Sequence, residues 1–235
     1  MLRDGLRTQH KTSVSDVVSA ADHAAEELIA GRLARDRPED GIIGEEGAQS
    51  PGARTWFIDP VDGTYNFLAG LPYWCAALAL AGQPGPNGLI APELGAIYHP
   101  FADELWLGST GERTSCNGVP VPALAEAPLA QLSLASYLHP PAMTDPDVRE
   151  PFLSMLSGAA TVRMLGSSSV ELAAVAAGRL GAWAQRDCLA WDWLPGAALV
   201  LAAGGAAEVV VHRGHRWHLA GNRRVVGELA DLVLR

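Results

Sequence analysis

Apolar positions change their period along this chain, and each change marks an expected element. Ala24, Ala25, Leu28, Ile29 and Leu33 recur at the three-and-four spacing of a helix face until Pro38 ends the pattern. Ser19 followed three residues later by Asp22 has the form of a capping box and places the helix start there. The runs "GIIGEE", "RTWFID" and "WCAALALAG" then read as short buried strands, the first two ending in acidic residues. "LGAIYHP" and "ELWLGS" pair as a hairpin, and "TSCNGVPV" turns at Asn117 and Gly118. A mostly antiparallel sheet behind one helix is expected for this half.

Further on, strands and helices alternate: strand "LSLASYL", a helix over 148–157, strand "ATVRML", and a helix through "SSSVELAAVAAG" ending near Gly178. "LGAWAQ" reads as a strand, "WDWLPGAALVLAAGG" as a helix closed by a glycine pair, "AAEVVVH" as a strand and "NRRVVGELADLVLR" as a terminal helix. The proline-rich segment 120–128 and "HPPAMTDPD" are too short to separate freely moving domains. The halves 1–125 and 126–235 are therefore expected to pack as one compact unit of α/β type. No internal repeat appears.

Composition narrows the function. With 49% hydrophobic residues among 235, the chain can bury a sizeable core. A formal net charge of -9, with 17 basic residues scattered singly or in pairs, argues against a nucleic-acid or anionic-membrane surface and for cations as partners. Cys75, Cys116 and Cys188 lie far apart without a CxxC pair, which suits a reducing cytoplasm and indicates neither a disulfide framework nor a cysteine zinc site. The longest apolar stretch, 194–211, is broken by Pro195, Gly196, Gly204, Gly205 and Glu208, and no leader-like apolar segment opens the chain, so no membrane association is expected.

The candidate chemistry sits in "WFIDPVDGTYNFLAG". Pro60 biases Asp59 to an extended backbone, and Gly63 permits a tight turn after Asp62, so the two carboxylates can converge. Hard divalent cations such as Mg²⁺ take oxygen ligands and are held by a few carboxylates plus a phosphate oxygen. Asp59, Asp62 and a backbone carbonyl start such a set, and the N–H groups of Gly63 and Thr64, at a helix start, suit a phosphate. The plainer readings stand beside this: Asp59 and Asp62 as turn and cap residues, "GEE" as a solvated pair, and Asp192 as a helix N-cap beside a core tryptophan. His212, His215 and His218 do not share one face of a strand, which disfavours zinc. Tyr65, Tyr73 and Trp74 read as core or pocket wall, since no basic groove accompanies them. The serines of "GSSS" lack the nucleophile-elbow pattern.

Taken together, "GEEG" at 44–47, "WFIDPVDGTYNF" at 56–67 and "WDWLPGAALVLAAGG" at 191–205 resemble, in order, the signatures of the inositol monophosphatase family of Mg²⁺-dependent, lithium-sensitive phosphomonoesterases. "KTSVSDVVSAAD" and "RMLGSSSVELAAVAAGR" add weaker similarity, while the family's first N-terminal helix is almost absent. The resemblance implies a five-layer αβαβα sandwich, a homodimer, and two or three Mg²⁺ ions. Glu45, Asp59, Asp62 and Asp192 would be the side-chain metal ligands, with the Val61 carbonyl completing the set and Asp59 bridging two ions. Thr64, bonded to Asp22, would help deprotonate the attacking water alongside Glu45, and Gly63 and Thr64 would hold the phosphate. Inositol-specific relatives carry a substrate-binding glutamate seven residues before the last aspartate; Gln185 stands there in this chain, which implies weaker selectivity for a polyol ring. Inositol 1-phosphate is the expected substrate, histidinol phosphate the runner-up, and a non-catalytic interaction protein the reading from another class.

Overall fold

The computed structural model describes residues 8–10 and 17–235, with side chains from residue 20 onward. Strands β1 (Thr8–His10) and β2 (Val17–Ser19) form an antiparallel ribbon leading into α1 (Ala20–Asp36). Next come β3 (Gly41–Gly44), β4 (Gln49–Ser50), β5 (Thr55–Asp62) and the short α2 (Thr64–Ala69). Strands β6 (Cys75–Ala81), β7 (Pro92–His99), β8 (Glu104–Ser109), β9 (Glu112–Cys116) and β10 (Val119–Pro120) follow. The second half runs β11 (Ser133–Tyr137), α3 (Pro146–Gly158), β12 (Thr161–Arg163), α4 (Ser168–Ala176) and β13 (Ala182–Arg186). It closes with α5 (Ala190–Ala202), β14 (Ala206–His212), β15 (His215–Gly221) and α6 (Arg223–Val233).

One sheet has the order β10-β9-β8-β7-β6-β5-β3-β4 and is antiparallel except where β3 runs alongside β5; the other has the order β12-β11-β13-β15-β14. Helices α4 and α5 pack between the sheets, α1 packs on β3 and β5, and α6, backed by α3, packs on β13, β14 and β15. These are the five alternating layers expected from the resemblance. Alternate residues of β6, namely Cys75, Ala77, Ala79 and Ala81, are small and fully buried, so α5 can approach closely. Gly95 on β7 takes this furthest, because a Cβ there would collide with the Pro195 carbonyl of α5. Trp183 on β13 stacks on Trp193 of α5 with ring centroids 5.7 Å apart, and each buried aromatic contributes about 1.5–3 kcal/mol. The site-bearing first turn of α5 is thereby fixed against both sheets.

Three expectations need correction. Helix α1 forms, yet Leu28 is 70% exposed while Asp22 and Glu26 are buried. The Glu26 carboxylate accepts the backbone N–H groups of Glu46 and Ala48, each at 2.8 Å, so a polar contact with the β3–β4 turn orients the helix rather than its alanines and leucine. Residues 11–16 and the side chains of 17–19, including that of Ser19, lie outside the described residues. The histidine run, in turn, belongs to the end of β14, a turn at Arg213 and Gly214, and β15, a strand that was not anticipated. Covered on both faces, β15 is buried from Trp217 to Gly221 and shows no alternation to read. His212 pairs across the hairpin with His215, whereas His218 packs against Trp193, so the three do not gather. Tyr65 is 57% exposed and is not a core residue; Tyr73 and Trp74 are half-buried. Among the described residues no helix is long and apolar enough to cross a membrane.

Candidate metal centre

On a regular strand, residues three apart point to opposite faces. Strand β5 is not regular where it matters: Asp59 pairs with Ala77 and Asp62 with Cys75, so Pro60 and Val61 both oppose Ala76. This β-bulge accommodates Pro60, which has no N–H for the ladder, and turns both carboxylates to one side. The Val61 N–H bonds to Asp59 Oδ1 at 3.1 Å and braces the bulge from within. Gly63 then takes φ 96° as the N-cap of α2; a side chain there would press on the Gly166 and Tyr73 carbonyl oxygens at 3.0 and 3.1 Å.

Asp192 arrives from the other half of the chain. It is the third residue of α5, after the N-cap Leu189, and its carboxylate accepts the Leu189 N–H, as the third residue of a capping box does. The N-cap reading of Asp192 is thus displaced by three positions. Carboxylate oxygens of Asp59, Asp62 and Asp192 lie within 4.8 Å of one another. Asp62 in addition sits on the N-terminus of α4, where it accepts the Ser168 N–H at 3.2 Å, the Ser168 hydroxyl at 3.1 Å and the Ser169 N–H. The Ser168 hydroxyl also lies 3.1 Å from the Asp192 carbonyl, which ties α4 to α5.

Asp59 is 1% exposed and Asp62 is 5% exposed. Burial, then the charges of Asp62, Glu45 and Asp192, hold the Asp59 carboxyl well above the usual carboxylate range. Asp192 is raised likewise by burial, Asp62 and Glu45; Asp62 is raised by burial against the opposing pull of the Ser169 and Ser168 hydrogen bonds. Two like charges at this separation repel by about 3–4 kcal/mol at an effective dielectric of 20. Among the described residues, the charges acting strongly on Asp59, those of Asp62, Glu45 and Asp192, are all negative. A buried, all-oxygen, anionic donor set is what a hard divalent cation requires, so the residues present fit Mg²⁺.

The other expected residues fall around this core. Glu45 follows β3, is half-buried, and bonds through its N–H to the Ile58 carbonyl at 3.1 Å; it stands outside the three-carboxylate group, yet its charge acts on Asp59 and Asp192. The Thr64 hydroxyl lies 3.0 Å from Asp22 Oδ1 and 3.0 Å from the Val61 carbonyl oxygen, joining α1 to the bulge. Gln185 is half-buried near the end of β13, opposite Tyr137 and His218 in the sheet, and 186–189 connect it to α5.

The sequence matches the model of the inositol monophosphatase family over residues 2–231. The chain belongs to that family. It is 33% identical over 229 residues to the inositol-1-monophosphatase of Rhizobium meliloti (strain 1021), covering 94% of this chain and 84% of that protein. A fructose-1,6-bisphosphatase/inositol-1-monophosphatase of Thermotoga maritima is 30% identical over 200 residues, with 84% of this chain and 73% of that one covered. Among solved structures, the extragenic suppressor protein suhB of Bartonella henselae superposes with a TM-score of 0.84 at 27% identity, over 97% of this chain and 88% of that one. Inositol monophosphatase family proteins are Mg²⁺-using phosphomonoesterases, and the acidic cluster is this chain's candidate for that metal.

Three supporting groups escaped the sequence reading. Ser168 and Ser169 carry Asp62, and the signal for them was a serine run before an apolar helix, a pattern of helix starts. Glu26 lies in a helix whose apolar periodicity gives no sign that its buried face is acidic. Glu171, 1% exposed in α4, stands in the Ser-x-x-Glu spacing of a helix start, a pattern that gives no sign of its burial.

Proposed function

We propose that this protein is a Mg²⁺-dependent phosphomonoesterase that hydrolyses a small polyol or sugar phosphate, with inositol 1-phosphate as its substrate. The observation that carries the reading is the convergence of Asp59, Asp62 and Asp192 next to the Thr64–Asp22 hydrogen bond. Glu45, Asp59, Asp62, Asp192 and the Val61 carbonyl would hold two or three ions. When bound, such ions acidify water and offset charge on the attacking and leaving oxygens of an in-line displacement. Thr64 donates its hydroxyl proton to Asp22, which leaves its oxygen lone pairs to accept from the attacking water, while Asp22 and Glu45 draw the proton away. The backbone N–H groups of Gly63 and Thr64, at the start of α2, orient the phosphate. Gln185 offers a neutral amide to substrate hydroxyls, a weaker acceptor than a carboxylate, which favours a broad substrate range.

The family resemblance carries with it lithium inhibition, a cytoplasmic setting and a homodimer, the last tested by sedimentation of the purified protein. For the activity, purified protein is assayed with inositol 1-phosphate, histidinol phosphate, fructose 1,6-bisphosphate and 3′-phosphoadenosine 5′-phosphate. Mg²⁺-dependent phosphate release, with the highest kcat/KM on inositol 1-phosphate, is the expected result. Preference for histidinol phosphate moves the substrate assignment, and no release from any of the four at saturating Mg²⁺ overturns the enzymatic reading.

A further inference from the structure

Buried carboxylates usually serve a charge partner, and among the described residues Glu171 has none. Its side chain is enclosed in α4, and its carboxylate meets only donors: the Leu165 N–H at 2.9 Å, the Gly166 N–H at 3.3 Å and the Trp183 indole N–H at 2.9 Å. Enclosing a carboxylate costs several kcal/mol by rough estimate, and an apolar residue of similar volume is often as stabilising. Stability alone therefore gives a poor account of it.

Its three bonds lead to the acidic site. Glu171 reaches back from the first turn of α4 to the loop that precedes it, and so fixes the N–H side of Leu165 and Gly166. The carbonyl side of the same residues accepts the Asn66 side-chain amide at 2.8 and 3.3 Å, and that amide also reaches the Tyr73 carbonyl at 2.8 Å. The loop is thus clasped from both flanks, by α4 and by α2. Immediately after the clasp come Ser168 and Ser169, whose N–H groups and one hydroxyl aim Asp62. Immediately beside it lies Gly63, which has room only for hydrogen against the Gly166 carbonyl. The Trp183 bond adds β13 and, through the Trp183–Trp193 stack, the first turn of α5 that carries Asp192.

We propose that Glu171 is a positioning residue that sets the divalent-cation affinity of the acidic site, by holding the 165–167 loop so that Ser168 and Ser169 present Asp62 at a fixed angle. Once ionised, a carboxylate suits this task because it can accept all three N–H groups at once, whereas an amide would turn one donor against them. Removing groups that orient a metal ligand typically weakens metal binding by about 10–100-fold.

The role rests on the metal site proposed above, and the test keeps the two apart. Mg²⁺ affinity is measured by titration calorimetry at about pH 9, above the value of about 8 to which burial raises Glu171, without substrate, on the wild type, Asp59→Asn, Glu171→Gln and Leu229→Ala. The last removes a fully buried side chain of the outer core and reports general destabilisation. Wild-type binding that disappears in Asp59→Asn supports the site; Glu171→Gln is expected to weaken it by about 10-fold or more, with Leu229→Ala within about two-fold of wild type. No binding by the wild type overturns the site and the role together. Wild-type binding with an unchanged Glu171→Gln, or with equal losses in Glu171→Gln and Leu229→Ala, overturns the role alone. Should Glu171→Gln fail to fold, Glu171→Asp keeps the acceptor and shortens its reach, and wild-type affinity in that variant overturns the role.

Discussion

Asp59 is held where its own electrostatics oppose it, buried and facing three other carboxylates. Replacing it by asparagine keeps its shape and removes one charge, so the variant is expected to melt higher than wild type in chelator and to gain less from millimolar Mg²⁺. Turnover is expected to fall by roughly 10²-fold or more, because charge stabilisation by bound cations is worth several kcal/mol. Activity within a few-fold of wild type at saturating Mg²⁺ would count against the assignment. Thr64 contributes through its hydroxyl rather than its volume, since Oγ1 links Asp22 with the Val61 carbonyl. Thr64→Val is accordingly expected to lower kcat by about 10²–10⁴-fold with little change in KM. An increase confined to KM in steady-state kinetics would make Thr64 a binding residue instead.

Between residue and fold stands the turn from β5 into α2, where a bulge, a proline and a left-handed glycine act as one device. Gly63 and Gly70 cap the two ends of α2, both with positive φ, but only Gly63 is crowded by carbonyls; a Cβ at Gly70 meets nothing within 4 Å. Gly70→Ala should therefore cost only the left-handed strain, about 1–2 kcal/mol, and Gly63→Ala distinctly more. Equal losses in denaturant unfolding would show that the fit against Gly166 and Tyr73 is loose. This device also shows what was legible in the sequence. Proline, glycine and two aspartates within five residues announced convergence, because those residue types restrict the backbone locally. Apart from the two-residue β4, the strands of the first sheet were legible for the same reason, their limits being set by turns such as Asn117-Gly118. Strand β15 was not, since a segment buried on both faces carries no alternation, and neither was the inward face of α1, which a distant backbone contact to Glu26 decides. Asp192 could be joined to Asp59 and Asp62 only through the family resemblance, because 130 residues of sequence separate it from Asp62.

At the scale of the whole molecule, two buried ionisable groups away from the acidic cluster give stability a pH dependence with separable parts. Burial raises Glu171 from 4.5 to about 8 and lowers His218 from 6.5 to about 4. Between pH 4.5 and 8 the folded state holds a proton on Glu171 that the unfolded chain has released, so this group makes stability fall as pH rises. Between pH 4 and 6.5 the unfolded chain binds a proton at His218 that the folded state refuses, so that group makes stability rise with pH. The two slopes oppose each other up to about pH 6.5, and above it only the Glu171 slope remains. With one proton worth about 1.4 kcal/mol per pH unit, Glu171 should cost about 1–2 kcal/mol between pH 6.5 and 8. The carboxylates of the acidic site push in the same direction, so the wild-type slope alone does not isolate Glu171. Comparison with Glu171→Gln does, because that variant keeps the cluster and removes one titration. In denaturant unfolding with chelator present, wild type should lose stability from pH 6.5 to 8 more steeply than Glu171→Gln, by about that amount. Parallel slopes would mean that Glu171 is already ionised at pH 6.5, which its three donors would then have to sustain against burial.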